Sequence, residues 1–224
     1  MPQPKTPSAG GDENSSFSVA RPASRTLVPF EYIGVARALR NKIVAAKATG
    51  AAAKLLAPFR PRPGFTPFPT HRRMYRLCQS WVDLPDAGRL SFVANLREGR
   101  LRVAELRVVP ARIRFEGWDD DELALSLRSM AAICAPPAFT CAETLIADVG
   151  LHALARRFER GNDRNEATVL RDLSPLAHAH RAVGGKFAIP ATSGGSWVGA
   201  VTTVAGQPVL AVRTFVSSPS EPSA

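Results

Sequence analysis

The stretch Arg89–Phe115 reads RLSFVANL, REGR, LRVAELRVV, Pro110 and ARIRF. Apolar and polar residues alternate along 89–96 and again along 101–109, the period of a strand with one face in a core. Arg97-Glu98-Gly99-Arg100 separates the two runs as a turn, so the chain doubles back as an antiparallel hairpin. Pro110 breaks the second strand, because proline cannot donate to a sheet ladder. The outward face of the hairpin is rich in arginine: Arg97, Arg100, Arg102, Arg107, Arg112 and Arg114.

Downstream, residues 119–135 are expected to be a helix. Asp119 suits the N-cap, Glu122 completes a capping box, and Leu123, Leu127, Met130 and Ala131 make an apolar stripe that Pro136-Pro137 ends. The cap and the helix dipole account for the acids of Asp119–Glu122, so no metal site is assigned to them. Residues 143–149 read as a strand, and 151–160 and 165–173 as helices, the first stopped by Gly161. Residues 186–190, 197–204 and 208–216 read as strands. Their turns fall at Ser193-Gly194-Gly195 and Ala205-Gly206-Gln207. The expected body, residues 70–216, is α+β: antiparallel sheet with packed helices, the sheet lying at both ends of a helical middle.

Upstream, residues 28–57 are rich in alanine and other helix formers. Arg37, Arg40, Lys47 and Lys54 fall within about a third of the circumference. Val35, Leu39 and Ile43 fall on another face. Residues 58–70 carry five prolines, which exclude helix and predict an extended linker. Residues 27–69 are therefore expected to be a basic helical arm with a Pro-rich linker. Residues 1–26 and 217–224, rich in Ser and Pro, are expected to be disordered tails.

The chain has 224 residues and a formal net charge of +10. Residues 26–80 contain ten Lys or Arg and one acid, so this segment carries nearly the whole excess, while residues 81–224 sum to zero. Such a segment attracts polyanions: nucleic-acid phosphates or an anionic membrane surface. No apolar run approaches the roughly 20 residues of a membrane span. The start lacks a secretory signal, and Cys78, Cys134 and Cys141 form neither a disulfide framework nor a zinc ribbon. The expected compartment is cytoplasmic.

The densest polar constellation is on the 151–160 helix. His152, Arg156 and Arg160 recur at i, i+4 and i+8 on one face, beside Arg157. Guanidiniums pair with phosphate oxygens and an imidazole moves a proton near neutral pH, a combination suited to a phosphodiester. The alternative is that these arginines pair with acids such as Glu159 and Asp163. The string His152-Ala153-x-x-Arg156-x-x-x-Arg160-Gly161 resembles the HA-x2-R-x3-RG pattern of small bacterial domains grouped with RelE-type and BrnT-type toxins. The resemblance covers roughly residues 141–216. It implies a compact α+β ribonuclease with His152, Arg156 and Arg160 as catalytic residues.

Elsewhere, His178-x-His180 lacks a third metal ligand, and phosphate-loop, nucleophile-elbow, HExxH and dinucleotide motifs are absent from the sequence. No cofactor or metal is expected. The expected function is that of a nucleic-acid-associated bacterial protein, RNA rather than DNA, possessing a ribonuclease-toxin-like domain. Arg37, Arg40, Lys47, Lys54, Arg72, Arg73 and Arg157 are the candidate binding residues. The competing expectation is a non-enzymatic interaction module, or homo-oligomer, that docks through the 28–57 helix.

Overall fold

The computed structural model describes residues 27–46, 76, 87–97, 100–114, 121–135, 138–161, 163–179 and 184–217. Helix α1 spans Phe30–Ala45. Strands β1 (Arg89–Arg97), β2 (Arg100–Ile113), β3 (Glu122–Ala135) and β4 (Ala138–Gly150) follow as an antiparallel meander. Helices α2 (Leu151–Arg160) and α3 (Glu166–Arg171) and a 3-10 turn (Ser174–His178) come next. Strands β5 (Lys186–Pro190), β6 (Ser196–Val204) and β7 (Gln207–Val216) close the fold.

All seven strands form one sheet in the order β1-β2-β3-β4-β7-β6-β5. The two expected ends of sheet are thus continuous. They meet where β4 runs parallel to β7, with Ala147 opposite Leu210, Asp148 opposite Ala211 and Val149 opposite Val212.

The expected helix at 119–135 is corrected: residues 122–135 are strand β3. Leu123 and Leu127 satisfy a helical i, i+4 stripe, but with Leu125 they also satisfy the i, i+2, i+4 alternation of a strand. Pairing with β2 on one side and β4 on the other decides between them. Glu122 does not form a capping box on its own segment. Its Oε1 accepts the backbone N–H of His152 at 2.7 Å, capping α2 from a strand 30 residues earlier. Gly150 makes this possible, since a Cβ there would lie 2.9 Å from the Glu122 carboxylate.

Cross-strand partners share a face of the sheet. Val108, Leu127, Ala147 and Leu210 lie on the face that packs the helices. They form one core with Leu154 and Phe158 of α2, and with Trp197 and Phe215, whose rings meet edge to face at 4.9 Å. Helix α1 joins this core through Ala36, Leu39 and Ile43. Its described part is therefore packed on the body through Leu39 and Ile43 of the expected apolar face, whereas Val35 of that face is exposed, and residues 47–57 lie outside the described residues.

The opposite face carries a buried polar cluster. Glu105 Oε1 accepts from Arg89 Nε at 2.8 Å and Arg107 Nη2 at 2.7 Å, a buried triad. Arg107, expected on an outward face, is in this triad because Glu105 lies two residues away on the same side of β2. No helix among the described residues is long and apolar enough to cross a membrane.

Candidate nucleic-acid interface

Strand β2, at 14 residues, is about 46 Å long, whereas the ten residues of α2 span about 15 Å. The β1–β2 hairpin turns between Arg97 and Arg100, at one end of β2. There Arg97 stands directly opposite Arg100, and Asn95 opposite Arg102. Arg100 and Arg102 are two residues apart on one strand, about 6.6 Å along it, so all four side chains share one face. All four are exposed and together line a shallow cleft of about 270 Å³.

Arg97, Arg100 and Arg102 make no ion pair among the described residues. Like charges placed directly across a ladder destabilise it. Here the hairpin carries three within two rows. The contrast with Arg107 on the same strand is informative, because Arg107 is buried and paired.

The four residues singled out on the 151–160 segment are brought onto α2 as expected, but their surroundings differ from an open cleft. Arg157 is fully buried: Nε donates to Asp172 Oδ2 at 2.6 Å, Nη1 to the Asp163 carbonyl at 2.9 Å and Nη2 to Ser193 Oγ at 2.6 Å. Arg156 is 3% exposed, and its Nη1 donates to Glu159 Oε2 at 2.6 Å. Arg160 Nη1 donates to the Phe215 carbonyl at 2.9 Å, tying α2 to β7. His152 is half-buried at the first turn. The alternative pairing read from the sequence, arginine with Glu159, is the one observed. Asp163 contributes its carbonyl rather than its carboxylate. Arg160 ties α2 to the sheet, Arg157 ties it to Asp172 and Ser193, and Arg156 pairs within the helix, so these guanidiniums form no cluster of free donors for a phosphodiester.

Of the expected arm residues, Arg37 is exposed on α1, and Arg40 makes a long contact of 3.4 Å to the Ala111 carbonyl. Lys47, Lys54, Arg72 and Arg73 lie outside the described residues. Lys42, on the same helix, pairs with Glu166 at 2.6 Å. His178 is exposed on the 3-10 turn, and no group of three metal-ligating side chains occurs among the described residues.

Arg97, Arg100 and Arg102 belong to the arginine-rich outward face read from the sequence but not to the binding residues expected from it. The signal for them was present: arginine flanks the Glu98-Gly99 turn on both sides, which forces a cross-strand like-charge pair. Comparison with family models, with curated proteins and with solved structures finds no match to this chain.

Proposed function

We propose that the protein binds nucleic acid, RNA in preference to DNA, through the tip of the β1–β2 hairpin. The observation that carries this is the row of Arg97, Arg100 and Arg102 on one face of the hairpin, exposed and without an ion pair among the described residues. Guanidiniums suit this task because each presents a planar fork of donors to phosphate oxygens. Asn95, in the same row, supplies both a donor and an acceptor for a base edge or sugar hydroxyl. The charge of residues 26–80 adds a second, less local attraction for the same polyanion.

The reading is one of binding. A hydrolytic step on α2 draws no support from the geometry, since Arg156 and Arg157 are committed to internal ion pairs.

The test is fluorescence anisotropy of a labelled single-stranded RNA against the full chain and an Arg97→Gln/Arg100→Gln/Arg102→Gln variant. A matching DNA strand and a duplex serve as competitors. The expected result is binding at low salt that the variant weakens at least about tenfold. Equal affinity of variant and parent would overturn the assignment to the hairpin. Absence of binding by the parent at low salt would overturn the function itself.

A further inference from the structure

The face of the sheet opposite α2 carries a second feature, unconnected with the hairpin tip. Ser126 of β3, Asp148 of β4, Ala211 of β7 and Ala200 of β6 are successive cross-strand partners, forming one row across the centre of the sheet. Ala111 of β2 lies one row away on the same side. Above this floor is a cavity of about 380 Å³, within the usual range for small-molecule sites. The floor is open because its side chains are small. Leucines such as Leu125 and Leu127 fill the other face of the same strands.

Asp148 sits at the bottom, 8% exposed. Its carboxyl accepts from Ser126 Oγ and makes no ion pair among the described residues. The other buried aspartate among the described residues, Asp172, differs sharply. It receives Arg157 Nε, Thr192 Oγ1, the Ser193 backbone N–H and the Ser193 hydroxyl. Asp172 is thus fully explained by the fold, whereas Asp148 is a buried acid whose one partner among the described residues is a hydroxyl. A buried carboxyl so poorly compensated costs stability, and such groups concentrate at sites of function. Burial pushes its pKa up, and the Ser126 hydrogen bond and the Arg128 charge only partly oppose this.

Two guanidiniums stand by the cavity, from Arg128 of β3 and Arg213 of β7. Arg128 uses one terminal nitrogen on Glu143 Oε1 at 2.8 Å, and its Nε, shielded from solvent, has no hydrogen-bond partner among the described residues. Ile113, Leu145 and Val204 supply apolar wall, and Thr202 a hydroxyl.

We infer that this cavity is a binding site for a small organic anion with an apolar body, its carboxylate or phosphate head on Arg128 and Arg213 and its body on the alanine floor. Arginine forks recognise either head. A ring-sized body matches the volume and the small side chains beneath it. Asp148, paired with Ser126 alone among the described residues, faces the body and selects for a ligand bearing a hydroxyl or amide near that point, whose hydrogen bond completes the buried carboxyl.

The experiment uses the full chain and three probes of similar size: 2-naphthoate, 1-naphthyl phosphate and the neutral 2-naphthalenemethanol. Binding is followed by probe fluorescence and calorimetry. At least one anion is expected to bind with a Kd of about 1 mM or tighter, and more tightly than the neutral probe. The better anion reports whether carboxylate or phosphate is preferred. Arg213→Met and Arg128→Met should each weaken that anion about fivefold or more, with the circular dichroism of the folded protein retained. Ala211→Leu should fill the floor and remove binding. The Arg97/Arg100/Arg102 variant should bind the probe as the parent does, so the RNA reading and this one fail separately. Failure of both anions to bind, or equal binding by the parent and Arg213→Met, overturns the proposal.

Discussion

Arg157 Nε lies 2.6 Å from Asp172 Oδ2, with both side chains fully buried. The pair is the joint of the second half of the fold. Asp172 also receives Thr192 and Ser193 from the β5–β6 turn, and its backbone carbonyl accepts Trp197 Nε1 at 2.7 Å. Arg157 in turn lies over the Phe215 ring at 5.4 Å. Removing one partner strands a buried charge, which costs about 3–5 kcal/mol. Arg157→Met is therefore expected to destabilise the protein by that amount in urea melts.

Asp172 also sets an acid limit. Burial alone would raise its pKa, but hydrogen bonds from Ser193, Thr192 and Arg157, with the Arg157 charge, outweigh it and hold the carboxyl below its ordinary range. A depressed folded pKa contributes stability that is present above the unfolded value of about 3.9 and is lost as pH falls through the folded value. Asp172→Asn should lower stability at neutral pH and narrow its gap to the parent as pH falls through that window. A gap that stays constant from neutral pH to acid would contradict this account.

Asp148 should behave in the opposite sense. Its folded pKa is raised, so the folded state keeps a proton that the unfolded chain has released. Its contribution is favourable at low pH and is lost as pH rises from about 3.9 through the folded value. Asp148→Asn keeps an oxygen acceptor for Ser126 and removes this loss. The variant should therefore be more stable than the parent at pH 7, by a margin that shrinks on acidification. Melting temperatures across pH check both sign and window.

Two glycines give a paired test of packing. A Cβ at Gly161 would collide with the Arg157 guanidinium, so Gly161→Ala should cost about 1–3 kcal/mol through overpacking. Gly34 is exposed in α1 with nothing within 4 Å of its would-be Cβ. Gly34→Ala should stabilise by up to about 1 kcal/mol through helix propensity. Chemical denaturation of both variants reads the two signs directly.

The β6–β7 turn holds Ala205 at φ +49° beside Gly206 at φ +78°. A left-handed conformation costs a non-glycine residue roughly 1–2 kcal/mol, least for asparagine. Ala205→Asn should raise stability by about 0.5–1 kcal/mol, and the Asn-Gly pair is the favoured sequence for such a hairpin turn. No gain in melting temperature would mean that the turn relaxes in solution.

RNA affinity should follow ionic strength. Three phosphate contacts made by Arg97, Arg100 and Arg102 predict that the triple glutamine variant loses about 2 units from the slope of log K against log salt, at about 0.7 per contact on a single strand. A slope unchanged by the substitutions would place the phosphate contacts elsewhere.

Local pattern was enough for the β1–β2 hairpin, the α2 helix and the three closing strands, because period-2 and period-3.6 patterning and turn residues act over a few positions. It was not enough for 122–135, where Leu123, Leu125 and Leu127 fit both periods and only the flanking strands choose between them. Nor could it sort the arginines. Arg102 and Arg107 stand five residues apart on one strand, yet one is exposed at the tip and the other is buried against Glu105. The sequence alone determined that the chain is α+β and where its excess charge lies. The tertiary structure decided which charges face outward, turned Arg157 into part of the core, and set Asp148 in one row with Ser126, Ala211 and Ala200. The reason is physical: burial and ion pairing depend on neighbours brought together across the sheet, and no local period encodes them.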